Sequence, residues 1–408
     1  MSFLEYITEQ KNTHMTHIED KVLYGGVDGT REAILALRSL RDTLAGVKEG
    51  TVSVKWDGAP AIFAGIDPTD GKFFVAKKGI FNKNPKVYKT SQEVDADTSG
   101  DLASKLKIAL QELPKLGIKG VIQGDFLYGP GDLEKSNIEG TEYITFHPNT
   151  IVYAIPSDSE LAKVLTKSKI GIVWHTEYTG DTFETMKASY NYDASGLKKT
   201  SSVFSTDANL KDMTNFTMSA KDTELVTSYL SQAGKLFSQV SGTTLRQLEA
   251  NQQLAQTIET FNNTYVRQGQ VITNTKKHVN NLINYIKQKY QKEIDARKTE
   301  KGKSRQVAEM QKLLDFFSAN NRQSLQKLFD LQKMIVLAKL KLINILDKLN
   351  KTKTFLKTSK GYRVTGQEGY VAVDKLGGDA VKIVDRMEFS FANFSPSILK
   401  GWDKPGRN

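Results

Sequence analysis

The chain's first candidate for chemistry is Lys55, which ends an apolar run and meets an Asp-Gly turn in Ser53-Val54-Lys55-Trp56-Asp57-Gly58. An unprotonated lysine amine attacks phosphorus or carbonyl centres. Near-neutral reactivity requires burial or a second cation to depress its pKa. A second lysine in a β-type run offers such a cation: Lys382, in Val381-Lys382-Ile383-Val384-Asp385-Arg386. Two further segments place a carboxylate beside a glycine at a β-type run, Gln123-Gly124-Asp125-Phe126-Leu127-Tyr128 and Gln367-Glu368-Gly369-Tyr370-Val371. Such carboxylates suit a divalent metal or a ribose. Each pattern alone also fits a strand leaving the core through a turn. The four together carry more weight than any one.

Other chemistries find less support. Gly65…Gly71-Lys72 has the outline of a phosphate-binding loop. Five residues separate its glycines where that loop needs four, however, and Phe73 stands where Ser or Thr is required. There is no Gly-x-Ser-x-Gly elbow and no His-Glu-x-x-His zinc helix. His14 and His17, followed by Glu19 and Asp20, form the one metal-like cluster. With no cysteine among 408 residues, disulfide scaffolds, thiolate metal sites and thiol nucleophiles are excluded, and a cytoplasmic location is expected. Residues 1–12 carry Glu5, Glu9 and Lys11 in place of an apolar signal core. The best apolar stretch, 334–349, is cut by Lys339, Lys341 and Lys348, so no membrane partner is expected.

Periodicity gives the elements that must position these residues. Residues 30–44 hold Ile34, Leu35, Leu37, Leu40 and Leu44 at helical spacing, on or near one face. Short β-type runs follow at 51–55, 61–66, 73–76, 121–128, 150–155 and 170–175. Asp67-Pro68-Thr69-Asp70-Gly71 reads as a hairpin turn, and 102–113 as a helix stopped by Pro114. Residues 192–221 are rich in Ser, Thr, Asn and Asp and read as a linker. The stretch 224–353 reads as helix with a charged break at 298–305. β-type runs return at 362–364, 369–373 and 380–384 around a Gly377-Gly378 turn. The net charge of +11 lies in the helical part: residues 205–356 hold 24 Lys/Arg against 13 Asp/Glu, and the rest has 33 of each. A neutral body with a basic appendage predicts a polyanion partner, most often nucleic acid; the plain alternative is a solvated Lys-rich surface.

In these segments the chain resembles the covalent nucleotidyltransferase superfamily of ATP-dependent DNA and RNA ligases and mRNA-capping guanylyltransferases. Lys55-Trp56-Asp57-Gly58 is similar to its motif I, whose lysine takes the nucleotide. Residues 74–79, with Lys78, look like the following substrate-contacting motif. Gly124-Asp125-Phe126-Leu127 resembles motif III, with Asp125 in place of Glu, and Glu368-Gly369-Tyr370-Val371 resembles motif IV. Lys382 looks like motif V. The chain departs from the pattern in three ways. Pro60 stands where ligases usually carry Arg, and Ala380 and Val384 flank Lys382 where motif V usually holds a second lysine. Only 26 residues follow Lys382, too few for the C-terminal OB-fold of DNA ligases and capping enzymes. That pattern favours an RNA-ligase-like member and is similar to phage-encoded proteins, which would place it in the host cytoplasm.

The resemblance implies an α+β fold: a ligase-type nucleotidyltransferase domain with antiparallel sheets, formed by 1–204 and 357–408 and interrupted by a basic all-α insertion at 205–356. It implies an ATP- and Mg²⁺-dependent ligase-like enzyme. Lys55 would form lysyl-AMP, and Lys382 would neutralise the α-phosphate. Asp57, Gly58, Lys78, Asp125, Phe126 and Glu368 would contact the nucleotide, Glu368 and Asp125 also the metal. RNA or DNA would bind through the insertion. Two rivals stand beside it: a non-catalytic nucleic-acid-binding or virion-associated protein on the same fold, and an adenylyltransferase acting on a protein or small molecule.

Overall fold

The computed structural model describes residues 16–402 apart from 191, 211–215, 351 and 375–379. It is mixed α+β, 49% helix and 22% strand. Three sheets are antiparallel throughout except for one strand. The smallest has the order β1 (Gly50–Lys55), β14 (Gly369–Asp374), β15 (Ala380–Ile383). The seven-stranded sheet runs β10 (Lys187–Tyr190), β9 (Ile170–Thr179), β5 (Val121–Tyr128), β2 (Ala61–Ile66), β3 (Phe73–Ala76), β4 (Val87–Tyr88). Its seventh strand, β11 (Val203–Asp207), pairs in parallel with β9. The third sheet runs β13 (Gly361–Val364), β12 (Lys353–Thr358), β8 (Ile151–Pro156), β7 (Thr141–Phe146), β6 (Glu134–Ile138).

Near the N-terminus, α1 (Gly26–Leu44) buries Ile34, Leu37, Leu40 and Leu44 along one stripe, while Leu35, expected on or near that face, is exposed. Two helices, α2 (Ser91–Asp97) and α3 (Gly100–Glu112), follow β4, and α4 (Glu160–Lys167) follows β8. The helical stretch contains α5 (Ala220–Phe237), α6 (Gly242–Ala250), α7 (Gln252–Arg267), α8 (Thr275–Asp295), α9 (Glu300–Leu314) and α10 (Ala319–Leu349). Each of these six has a side-chain N-cap, from Ser219, Ser241, Asn251, Asn274, Thr299 and Ser318 in turn. The cap oxygen satisfies an otherwise orphaned first-turn N–H, so each start is written locally in the sequence. The last helix, α11 (Arg386–Phe394), is capped by Asp385.

The helices share a core with the three-stranded sheet. Val52, Val54, Tyr370, Val381 and Ile383 bury in one cluster with α1 and with α10 residues such as Leu331, Ile335 and Leu342. Tyr370 OH also donates to Asp347 of α10 at 2.6 Å. Strand side chains alternate between faces, so Ser53, Lys55 and Lys382 fall on the opposite face. The helices therefore back the sheet that carries the two lysines. Among the described residues no helix is long and apolar enough to cross a membrane.

Two sequence expectations change. The polar stretch 192–221 is not a plain linker, since β11 lies within it; Ser205 is polar because its Oγ accepts from the buried Trp174 Nε1–H at 2.9 Å. The charged break at 298–305 is helical from Glu300 onward, because Thr299 caps α9 there. The Gly377-Gly378 turn lies outside the described residues.

Candidate active site

Cross-strand register puts the lysines together. Ser53 faces Val371 on β14, and Val371 faces Lys382 on β15. Lys55, two residues after Ser53, shares that face and lies opposite Gly369. Glu368, one residue earlier, reaches back so that its Oε2 accepts from Lys55 Nζ at 2.5 Å. The Lys382 ammonium sits 5.7 Å from the Phe389 ring centroid. Burial lowers the Lys382 pKa, and the Lys55 cation lowers it further.

The seven-stranded sheet supplies the facing wall. Lys55, Trp56, Lys78, Gln123, Asp125 and His175 are among the side chains around a cleft of about 530 Å³, a size that suits a nucleotide-scale ligand. Gly58 brings the walls together: a Cβ there would lie 2.5 Å from Asp125 Cβ and 2.8 Å from the Phe126 carbonyl oxygen. Only a residue without a side chain lets the end of β1 approach β5 so closely. Burial pushes the Asp125 carboxyl up to about 7; Lys55 and Lys78 pull it down while Glu368 and Asp57 push it up. His175 Nε2 stands 3.6 Å from Asp125 Oδ2, and burial, then Lys55, holds His175 near 4. At neutral pH the imidazole is therefore uncharged.

Not every anticipated residue lines the cleft: Lys382 and Glu368 are not among its lining side chains, and Glu368 borders a separate small cavity. Asp57 is a buried clamp onto the third sheet. Its carboxylate accepts from Asn149 Nδ2 at 2.7 Å, Thr150 N–H at 2.7 Å and Ile151 N–H at 2.8 Å, and its own N–H donates to Tyr153 OH at 2.6 Å. Burial, then the Glu368 charge, raises its pKa to about 6 against the pull of those hydrogen bonds. Phe126 is fully buried among Ile62, Leu106 and Trp174, so its ring has no face for a base. Conversely, Gln123, His175 and Tyr190 line the cleft without having been singled out as site residues. The only signal for His175 was its place at the end of a β-type run.

The His14/His17 metal cluster takes a different form. His14 lies outside the described residues. Lys339 Nζ donates to both Glu19 oxygens at 2.7 and 2.8 Å, and Arg386 pairs with Asp20 at 2.7 Å. Burial opposes the charge on Glu19, but Lys339, His17 and Arg386 outweigh it and hold the carboxyl near 2. The Glu19 and Asp20 carboxylates are thus committed to Lys339 and Arg386. Among the described residues no group of three or more His, Asp or Glu is arranged to hold an ion.

Fold and site together define an α+β protein with a cleft lined by Lys55, Lys78, the Asp125 carboxyl and a neutral histidine. The chain belongs to a family of unknown function, DUF6267, whose pattern matches residues 12–397, taking in the helical stretch and all three sheets. No curated protein and no solved structure matches it.

Proposed function

We propose that the protein is an ATP-dependent nucleotidyltransferase of the ligase type, with Lys55 as the nucleophile. The observation that carries this reading is the shared sheet face of Lys55 and Lys382, with Glu368 against Lys55 and Asp125 across the cleft. Lys55 Nζ would form a P–N bond to the α-phosphorus as the P–O bond to pyrophosphate breaks, and its proton would pass to Glu368. Lys382 would balance charge on the α-phosphate. Mg²⁺ commonly binds through one or two carboxylates plus substrate phosphates, a role that Asp125, on the cleft wall, would take with the nucleotide's phosphates. The ion would stabilise charge on the leaving pyrophosphate. The exposed Lys276, Lys277, Lys287 and Lys292 of α8 support an RNA or DNA acceptor.

A second reading, a non-catalytic nucleic-acid-binding or virion-associated protein, is favoured by Pro60 and by the lone Lys382 flanked by Ala380 and Val384. Incubation with α- or γ-labelled ATP and Mg²⁺, followed by denaturing electrophoresis, separates the two. The first reading predicts retention of α-label only; absence of α-label with every nucleotide and metal tried favours the second.

A further inference from the structure

Helix α11 has two working faces. Phe389, Ala392 and Asn393 border the small cavity that Glu368 also lines. Met387, Ser390, Phe391 and Phe394, spaced i, i+3, i+4 and i+7, border a separate groove of about 790 Å³. Across it lie residues 266–269 at the end of α7, with Leu356 and Arg363 from β12 and β13.

The groove is aromatic and cationic at once. Phe391 is 39% exposed and Phe394 67%. The Arg363 guanidinium carbon stands 4.6 Å from the Phe391 ring centroid, and that of Arg267 5.8 Å from Phe394. Both arginines are exposed, and neither forms an ion pair among the described residues. The carboxylate at the rim, Glu388, is turned aside: its Oε1 accepts from Thr365 Oγ1 at 2.5 Å and Gly366 N–H at 3.1 Å. Beyond residue 269 the wall leads into the most basic part of the chain, where residues 276–357 hold 20 Lys/Arg against 7 Asp/Glu.

An exposed ring with a guanidinium over one face offers a nucleobase a ring or guanidinium plane to stack on, and its phosphate a bidentate donor. An unstacked base is available only in a single strand. We propose that this groove binds a single-stranded polynucleotide, with bases on Phe391 and Phe394 and phosphates on Arg363 and Arg267. This deepens the ligase-type reading by naming the form of its acceptor, and rests on it only for that role.

The test is fluorescence anisotropy of labelled oligouridylate, oligothymidylate and a hairpin duplex with the full chain, without ATP or Mg²⁺. Loss of Lys55 chemistry therefore leaves the result unchanged, and failure of strand binding leaves the Lys55 labelling result unchanged. Wild type is expected to bind single strands more tightly than duplex. Phe391→Leu and Phe394→Leu, which keep apolar bulk without a π face, should each weaken binding by about tenfold or more at unchanged melting temperature. Arg267→Gln with Arg363→Gln should reduce the slope of log affinity against log salt by about 1.4, two contacts at about 0.7 each; this arm decides if the leucine variants unfold. Absence of strand binding by wild type, duplex binding as tight as single-strand binding, or folded variants matching wild type would each overturn the proposal.

Discussion

Replacing Asp125 by Asn should stabilise the protein, and more so as pH rises. Burial raises this carboxyl from 3.8 to about 7 despite the nearby Lys55 and Lys78. The folded state therefore holds a proton over a pH range in which the unfolded chain has released it. With more protons bound in the native state, stability falls as pH rises through that range. The cost begins near pH 4 and is complete above about 7. Three pKa units correspond to an upper figure of about 4 kcal/mol. The side chain is 20% exposed, and water access reduces the expected gain to about 2 kcal/mol. Asn keeps the shape and cannot ionise. Urea-unfolding midpoints of both proteins should coincide near pH 4 and diverge to a plateau above pH 7. A difference that stays constant across this range, or that favours wild type at high pH, would refute the electrostatic account of the cleft.

Glu368→Ala and Lys382→Ala should each reduce covalent labelling by about 10²-fold or more, the scale of losing one preorganised charge; near-normal rates would remove these residues from the site. Lys339→Met should cost about 3–5 kcal/mol by leaving Glu19 charged, buried and short of its partner, and Glu19→Leu added to it should recover much of the loss in a thermal melt. Because Glu19 is held near 2, the stability it contributes is complete above about pH 4.5 and is lost as pH falls toward 2. Asp57→Ala should lower the melting temperature sharply, since unpaired Thr150 and Ile151 amides cost about 1–3 kcal/mol each; a variant melting like wild type would contradict the clamp.

Local signals in the sequence foretold local structure. Short β-type runs and turn chemistry pointed to β1, β2, β3, β5 and the hairpin at Asp67, whose Oδ1 accepts from Thr69 N–H at 2.9 Å. Strands with polar faces, such as β6 with Asn137 and β11 with Ser205, had no apolar alternation to reveal them. At the site, the sequence brought Lys55, Asp125, Glu368 and Lys382 forward as a set, because each ends or interrupts a β-type run. It could not show that Asp57 turns to the third sheet, nor that Phe126 turns to the core. Asp57 sits in the loop after β1, where only long-range pairing decides its partners; Phe126 follows Asp125 on β5, so alternation sends it to the other face once Asp125 is placed in the cleft. The backing of the lysine sheet by α1 and α10 was equally invisible, since it joins residues some 300 positions apart, as the Lys339–Glu19 pair does.

The central claim, that Lys55 carries the nucleotide, is tested most directly by locating the adduct. Wild type and Lys55→Ala are incubated with α-labelled ATP and Mg²⁺, denatured, digested and mapped by peptide mass spectrometry. The account predicts AMP on the peptide containing Lys55, released by acid and stable to alkali as a phosphoramidate is, and no labelling of folded Lys55→Ala. Label on any other residue, or undiminished labelling of the variant, would contradict it.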